Sequence, residues 1–74
     1  MKTIYQDRYA NLINTLVLIR KNRKLTQFQV AQHLGKPQSY IAKIEKRERK
    51  LDVLEFIQLC ETLEVSPSEI IALV

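Results

Sequence analysis

The chain has 74 residues, 46% hydrophobic and 27% charged, which describes one small globular domain and excludes both a disordered chain and a large core. Its single Cys excludes an internal disulfide and fits a reducing cytoplasm. Net charge is +4, and nothing approaches the ~18 uninterrupted apolar residues of a membrane span. The opening MKTIYQDRYA lacks the apolar core of a signal peptide, so a cytoplasmic location away from membranes is expected.

Residues 5–22 read as a long first helix. Tyr9, Leu12, Ile13, Leu16, Val17 and Ile19 recur at near-helical spacing, and Leu18 widens the apolar arc, which predicts burial on more than one side. Lys21, Arg23 and Lys24 suit a helix C-terminus; they read either as solvated charges or as phosphate contacts. Thr26 opens a second helix, with Gln29 three residues on as a capping box. Phe28, Val30, Ala31 and Leu34 give it an apolar stripe. Gly35 supplies the left-handed residue that stops it, and Pro37 has φ already set for the first turn of a helix.

The third helix, residues 38–46, sorts by angle. Tyr40, Ile41 and Ile44 fall on one side; Gln38, Ser39, Ala42, Lys43 and Lys46 fall on the other. One face can pack while the other carries amides, a hydroxyl and ammonium groups, which are the groups that read base edges in a major groove. Two short helices around a Gly turn, the second polar outside, make a helix-turn-helix.

The run KRERKL at residues 46–51 reads as a solvated loop or, placed directly after a recognition helix, as a phosphate clamp. Asp52 and Glu55 form a second capping pair, and Val53, Leu54, Phe56, Ile57, Cys60 and Leu63 supply the apolar surface of a fourth helix. Cys60 falls on its core side. Ser66, Pro67 and Glu69 mark a short last helix over residues 67–73. No strand pairs are plausible, so the expected fold is all-α, a single domain over residues 1–74. Residues 20–50 hold ten Lys/Arg and two acids, whereas residues 51–74 hold five acids and no base. A polyanion is drawn to one side of such a molecule and repelled by the other.

The chain resembles the Cro/cI-type (Xre-like) helix-turn-helix regulators. The resemblance rests on Leu25-Thr26-Gln27, Ala31, Leu34-Gly35, Pro37-Gln38-Ser39, Ile41 and Lys43-Ile44-Glu45, and continues through Leu51-Asp52, Ile57, Leu63, Val65-Ser66 and Ile70, roughly residues 12–71. It implies a five-helix lambda-repressor-like domain whose second and third helices form the helix-turn-helix. It also implies base contacts at Gln38, Ser39 and Lys43, and an ion pair between Arg20 and Glu45 that ties the first helix to the third. Members often carry Gly where this chain has Arg47 and Glu64; a left-handed residue there would cost about 1 kcal/mol.

Phosphate contacts are expected from Gln27, at the positive end of the second helix, and from Lys36, Tyr40, Lys46, Arg47 and Arg49. Arg49 is expected to add about one charge to the salt dependence of binding. The expected working unit is a two-fold homodimer on a palindromic site. Ile70, Ile71, Leu73 and Val74 are its expected interface, and the first helix near Tyr5 and Tyr9 is the competing surface. His33 and Cys60 are single residues without ligand spacing, so no metal, cofactor or enzymatic activity is expected. Two functions stand side by side: a DNA-binding transcriptional repressor, and an antitoxin-like interaction module whose main partner is another protein.

Overall fold

The local signals of the sequence become five helices in the computed structural model, which describes residues 2–74, with side chains from residue 7 onward. They are α1 (Lys2–Asn22), α2 (Gln27–Leu34), α3 (Gln38–Glu45), α4 (Val53–Leu63) and α5 (Pro67–Ala72). Two starts are fixed by reciprocal caps. The Thr26 hydroxyl accepts the Gln29 N–H at 3.0 Å, and the Thr26 N–H donates to Gln29 Oε1 at 2.8 Å. Asp52 and Glu55 repeat the arrangement at 2.8 and 3.1 Å. Each cap stabilises its helix by about 1 kcal/mol. Ser66 behaves differently: its hydroxyl lies 2.9 Å from that of Ser68 and caps no backbone N–H. Pro37 is the extended N-cap of α3 rather than its first helical residue.

All five helices contribute to one core. Ile13 and Leu16 enter from α1, Val30 and Ala31 from α2, Ile41 and Ile44 from α3, Phe56, Leu59, Cys60 and Leu63 from α4, and Ile70 from α5. Burying one such aliphatic side chain is worth about 1.5–3 kcal/mol. Four apolar residues expected in packed faces are instead exposed: Leu18, Phe28, Val53 and Leu54. The helical angle explains three of them. At about 100° per residue, Phe28 points roughly 110° from the Val30/Ala31/Leu34 stripe, and Leu18 and Leu54 point nearly opposite the buried side of their helices. Val53 sits in the first turn of α4, at the edge of the core.

Gly35 ends α2 at φ 68°, its N–H reaching the Ala31 and Gln32 carbonyls. Three side-chain-bearing residues share the left-handed region: Lys24 (59°), Arg47 (62°) and Glu64 (60°). The chain therefore makes its corners with the backbone geometry expected of glycine while keeping charged residues there. Glu64 has a local compensation, since Arg23 donates to its carbonyl at 3.1 Å and approaches its carboxylate at 3.5 Å. Both partners of that pair are open to solvent, so it offsets little of the strain. Glu64→Gly is expected to stabilise the domain by about 1 kcal/mol and to raise the melting temperature by about 4–8 °C. A thermal melt followed by circular dichroism checks this; a lower melting temperature would mean that the Arg23 contact outweighs the strain.

Candidate nucleic-acid interface

The sequence of α3 alternates between groups that pack and groups that do not. Ile41 and Ile44 seat the helix in the core, and this leaves Gln38, Ser39 and Lys43 exposed on the opposite face. The buried side of the same helix ends in a charge cluster. Arg20 of α1 donates to Glu45 through Nε (2.6 Å) and Nη2 (3.0 Å), and through Nη1 to the Leu25 carbonyl (2.7 Å). The two side chains are only 11% and 15% exposed. Gln27, the first residue of α2, donates its amide to Glu45 Oε1 at 2.8 Å and accepts from the Gln38 amide at 3.4 Å. Hydrogen bonds thus run continuously from the core-facing arginine to the first residue of α3.

A second cluster lies at the far side of α3. The Tyr40 ring has Lys36 Nζ at 5.4 Å from its centroid and the Arg49 guanidinium at 4.7 Å. Arg49 in turn grips Glu55 with both Nη atoms, at 2.9 and 2.8 Å. This bidentate pairing, helped by the Asp52 N–H, holds the Glu55 carboxyl well below the usual range, at about 2. Burial and then Glu55 push the Tyr40 phenol upward. At Arg49, an expected phosphate contact, the guanidinium is paired with a carboxylate. The reason is the fold of the loop, which brings residue 49 back onto the first turn of α4.

The other loop cations are placed differently. Lys46, Arg47 and Lys50, with Asp7, Tyr9 and Ala10, line an open groove of about 580 Å³ between α1 and the loop. None of these three cations forms an ion pair among the described residues. The Tyr9 hydroxyl accepts the Leu51 N–H at 3.1 Å and fastens the loop to α1. Lys50, read in the sequence only as part of the KRERKL run, is a groove residue as well. The pairing of Arg49 with Glu55 was missed for a related reason: the capping role of Glu55 was legible, but a carboxylate serving both a cap and a loop cation was not.

At the other end of the chain, the four residues of the expected association surface divide, Ile70 and Ile71 lying in α5 and Leu73 and Val74 beyond its end. Ile70 is 3% exposed and belongs to the core, so it is withdrawn from the expected association surface. Ile71 and Leu73 are 55% and 70% exposed, and Val74 is half-buried, its carbonyl accepting from Arg8 Nε at 3.1 Å. Tyr9 is half-buried and engaged by the loop; Tyr5 lies outside the described side chains. No three His, Cys, Asp or Glu gather to hold a metal among the described residues. No helix among them is long and apolar enough to cross a membrane.

This arrangement defines a helix-turn-helix domain with a polar, exposed recognition helix and a cationic flank. Comparison with known proteins agrees. The helix-turn-helix family model matches residues 16–70. The solved structure of an XRE-family like protein from Pseudomonas syringae pv. tomato str. DC3000 superposes with a TM-score of 0.93 at 38% identity, covering 96% of this chain and 87% of that one. No curated protein matches the chain. The chain belongs to the XRE-type helix-turn-helix family and is a DNA-binding helix-turn-helix regulator.

The Arg20–Glu45 cluster yields a direct test of what holds α3 in place. Removing one charge of a buried pair leaves the other uncompensated, at a cost of about 3 kcal/mol. Glu45→Gln is therefore expected to lower the melting temperature sharply. Glu48→Gln, at an exposed acid with no ion pair among the described residues, should stay within about 0.5 kcal/mol of the parent. Equal effects in parallel thermal melts would show that the Glu45 pair does not secure the helix.

Proposed function

We propose that this protein represses transcription in the cytoplasm by binding a palindromic operator as a two-fold homodimer, with α3 of each copy in a major groove. The observation that carries this reading is the exposed outer face of α3, held in place from behind by Glu45. Gln38 suits bidentate pairing with adenine, Lys43 suits guanine O6 and N7, and Ser39 can donate or accept. Around them Gln27, Lys36, Tyr40, Lys46 and Arg47 contribute phosphate contacts that orient the domain without reading sequence. Gln27 keeps one amide hydrogen for this task beside the free N–H groups at the start of α2. Selection of bound duplexes from a random pool gives the operator, its symmetry and its half-site spacing together. On that operator Lys43→Ala is expected to cost about 1–3 kcal/mol and to relax preference at one base pair. A loss equal for all sequences would reassign Lys43 to phosphate.

A homodimer sets two recognition helices about 34 Å apart on one face of the duplex. Ile71, Leu73 and Val74 supply the proposed interface, because Ile71 and Leu73 are open in the single copy. Exposed Phe28, Val53 and Leu54 favour a second reading, in which a partner protein docks on the domain. Sedimentation at micromolar concentration separates these. Wild-type protein is expected to sediment as a dimer and Ile71→Glu as a monomer. A variant that still dimerises would move the interface to α1 or to Val53 and Leu54. A wild-type monomer bound singly to operator DNA would remove the dimer.

A further inference from the structure

Tyr40, Arg49 and Glu55 come from three successive pieces of chain: the recognition helix, the loop after it and the first turn of α4. The guanidinium of Arg49 lies over the Tyr40 ring, 4.7 Å from its centroid, and turns both Nη atoms to the Glu55 carboxylate at 2.9 and 2.8 Å. Glu55 is itself fixed, because it closes the capping box of α4 through the Asp52 N–H at 3.1 Å. The chain of contacts therefore starts at a rigid helix end and finishes on the recognition helix. Arginine is suited to this position because one planar group can fork to a carboxylate and stack on an aromatic face together; lysine can do neither in the same geometry.

A neutralised guanidinium is also a poor phosphate ligand. A phosphate there would meet a guanidinium whose charge a bidentate carboxylate already balances, whereas Lys46, Arg47 and Lys50 line the groove beside α1 and form no ion pair among the described residues. We propose that Arg49 and Glu55 are positioning residues for DNA recognition: their pair clamps Tyr40, and through it the recognition helix, against α4, while the phosphate charge of the loop comes from Lys46, Arg47 and Lys50. This rests on the DNA-binding reading and assigns roles within it.

The test compares Arg49→Gln, Arg49→Lys and Glu55→Gln with the parent, on the selected operator duplex and on an unrelated duplex, over a series of salt concentrations. Gln at position 55 preserves the capping box, so the start of α4 is kept. The ratio of operator to unrelated affinity is expected to fall about fivefold or more in all three variants, the scale of one lost base-pair preference. The salt slope of Arg49→Gln is expected to match the parent. Lys at position 49 restores charge but not the clamp, and so should not rescue the ratio. Combining Arg49→Gln with Tyr40→Leu, which removes the stacked ring, is expected to lower the ratio little further, because both break one contact chain; any phosphate contact of Tyr40 is lost on both duplexes alike.

A salt slope shallower by about one charge in Arg49→Gln, a rescue by Arg49→Lys, or an unchanged ratio in Glu55→Gln would each overturn the proposal and return Arg49 to the phosphate contacts. Failure of the parent protein to prefer any duplex would overturn the sequence-specific reading itself, before any variant is compared.

Discussion

The Arg20–Glu45 pair is the interaction on which the reading surface depends. It joins α1 to α3 and, through Gln27 and the Leu25 carbonyl, also fixes the start of α2. Ion pairs taken out of water add little net stability, because desolvation consumes most of the Coulomb gain. Their value here is geometric. Apolar packing by Ile41 and Ile44 is non-directional and would tolerate a helix rotated or slid by a fraction of a turn. A bidentate guanidinium with its third nitrogen on a carbonyl does not. No buried side-chain nitrogen or oxygen among the described residues lacks a partner, so the arrangement leaves no polar debt that another orientation of α3 could relieve.

Much of this architecture was legible in the sequence because it is encoded by short-range chemistry. Thr26 with Gln29, Gly35, and Asp52 with Glu55 announce helix ends within four residues of themselves, and the structure uses them as such. Cys60 fell on a core face by angle and is buried. The Arg20–Glu45 pair spans 25 residues and was accessible only through resemblance. Arg49 and Glu55 are six residues apart, yet a loop lies between them, and no periodicity tells where a loop side chain will turn. Leu18, Phe28 and Leu54 are exposed for another reason. Apolar character alone does not bury a residue, because a narrow helix in a small domain buries only the residues near the centre of its arc. Ile70 and Ile71 make the same point at adjacent positions, one in the core and one in solvent.

The division of charge acquires a shape in the fold. Lys43 of α3 and the cations of the loops on either side of it, among them Lys36, Lys46, Arg47 and Lys50, edge the recognition helix, while the acids of α4 and α5 lie in the half that follows. A molecule built this way carries a field that turns it as it approaches a polyanion, so that encounters with the duplex begin with α3 leading. Screening by salt shortens the reach of that field to about 10 Å at 0.1 M. The clamp on Tyr40 and the anchor at Glu45 then act at contact, where orientation has already been selected.

Cys60 carries a consequence of a different kind. Its thiol has no exposed surface, and burial, followed by Glu61, pushes its pKa upward. Only a thiolate reacts readily with alkylating reagents or disulfides, so in the closed domain this residue is silent on both counts. It sits where α4 meets the rest of the core, and a reagent can reach it only when the helices part. The chain thus contains a built-in clock for its own opening. When closing is fast relative to capture, the rate at which the thiol is modified follows the population of open molecules. That rate falls as soon as anything binds the closed form in preference to the open one, which makes a single buried sulfur atom a built-in meter of occupancy by any such ligand.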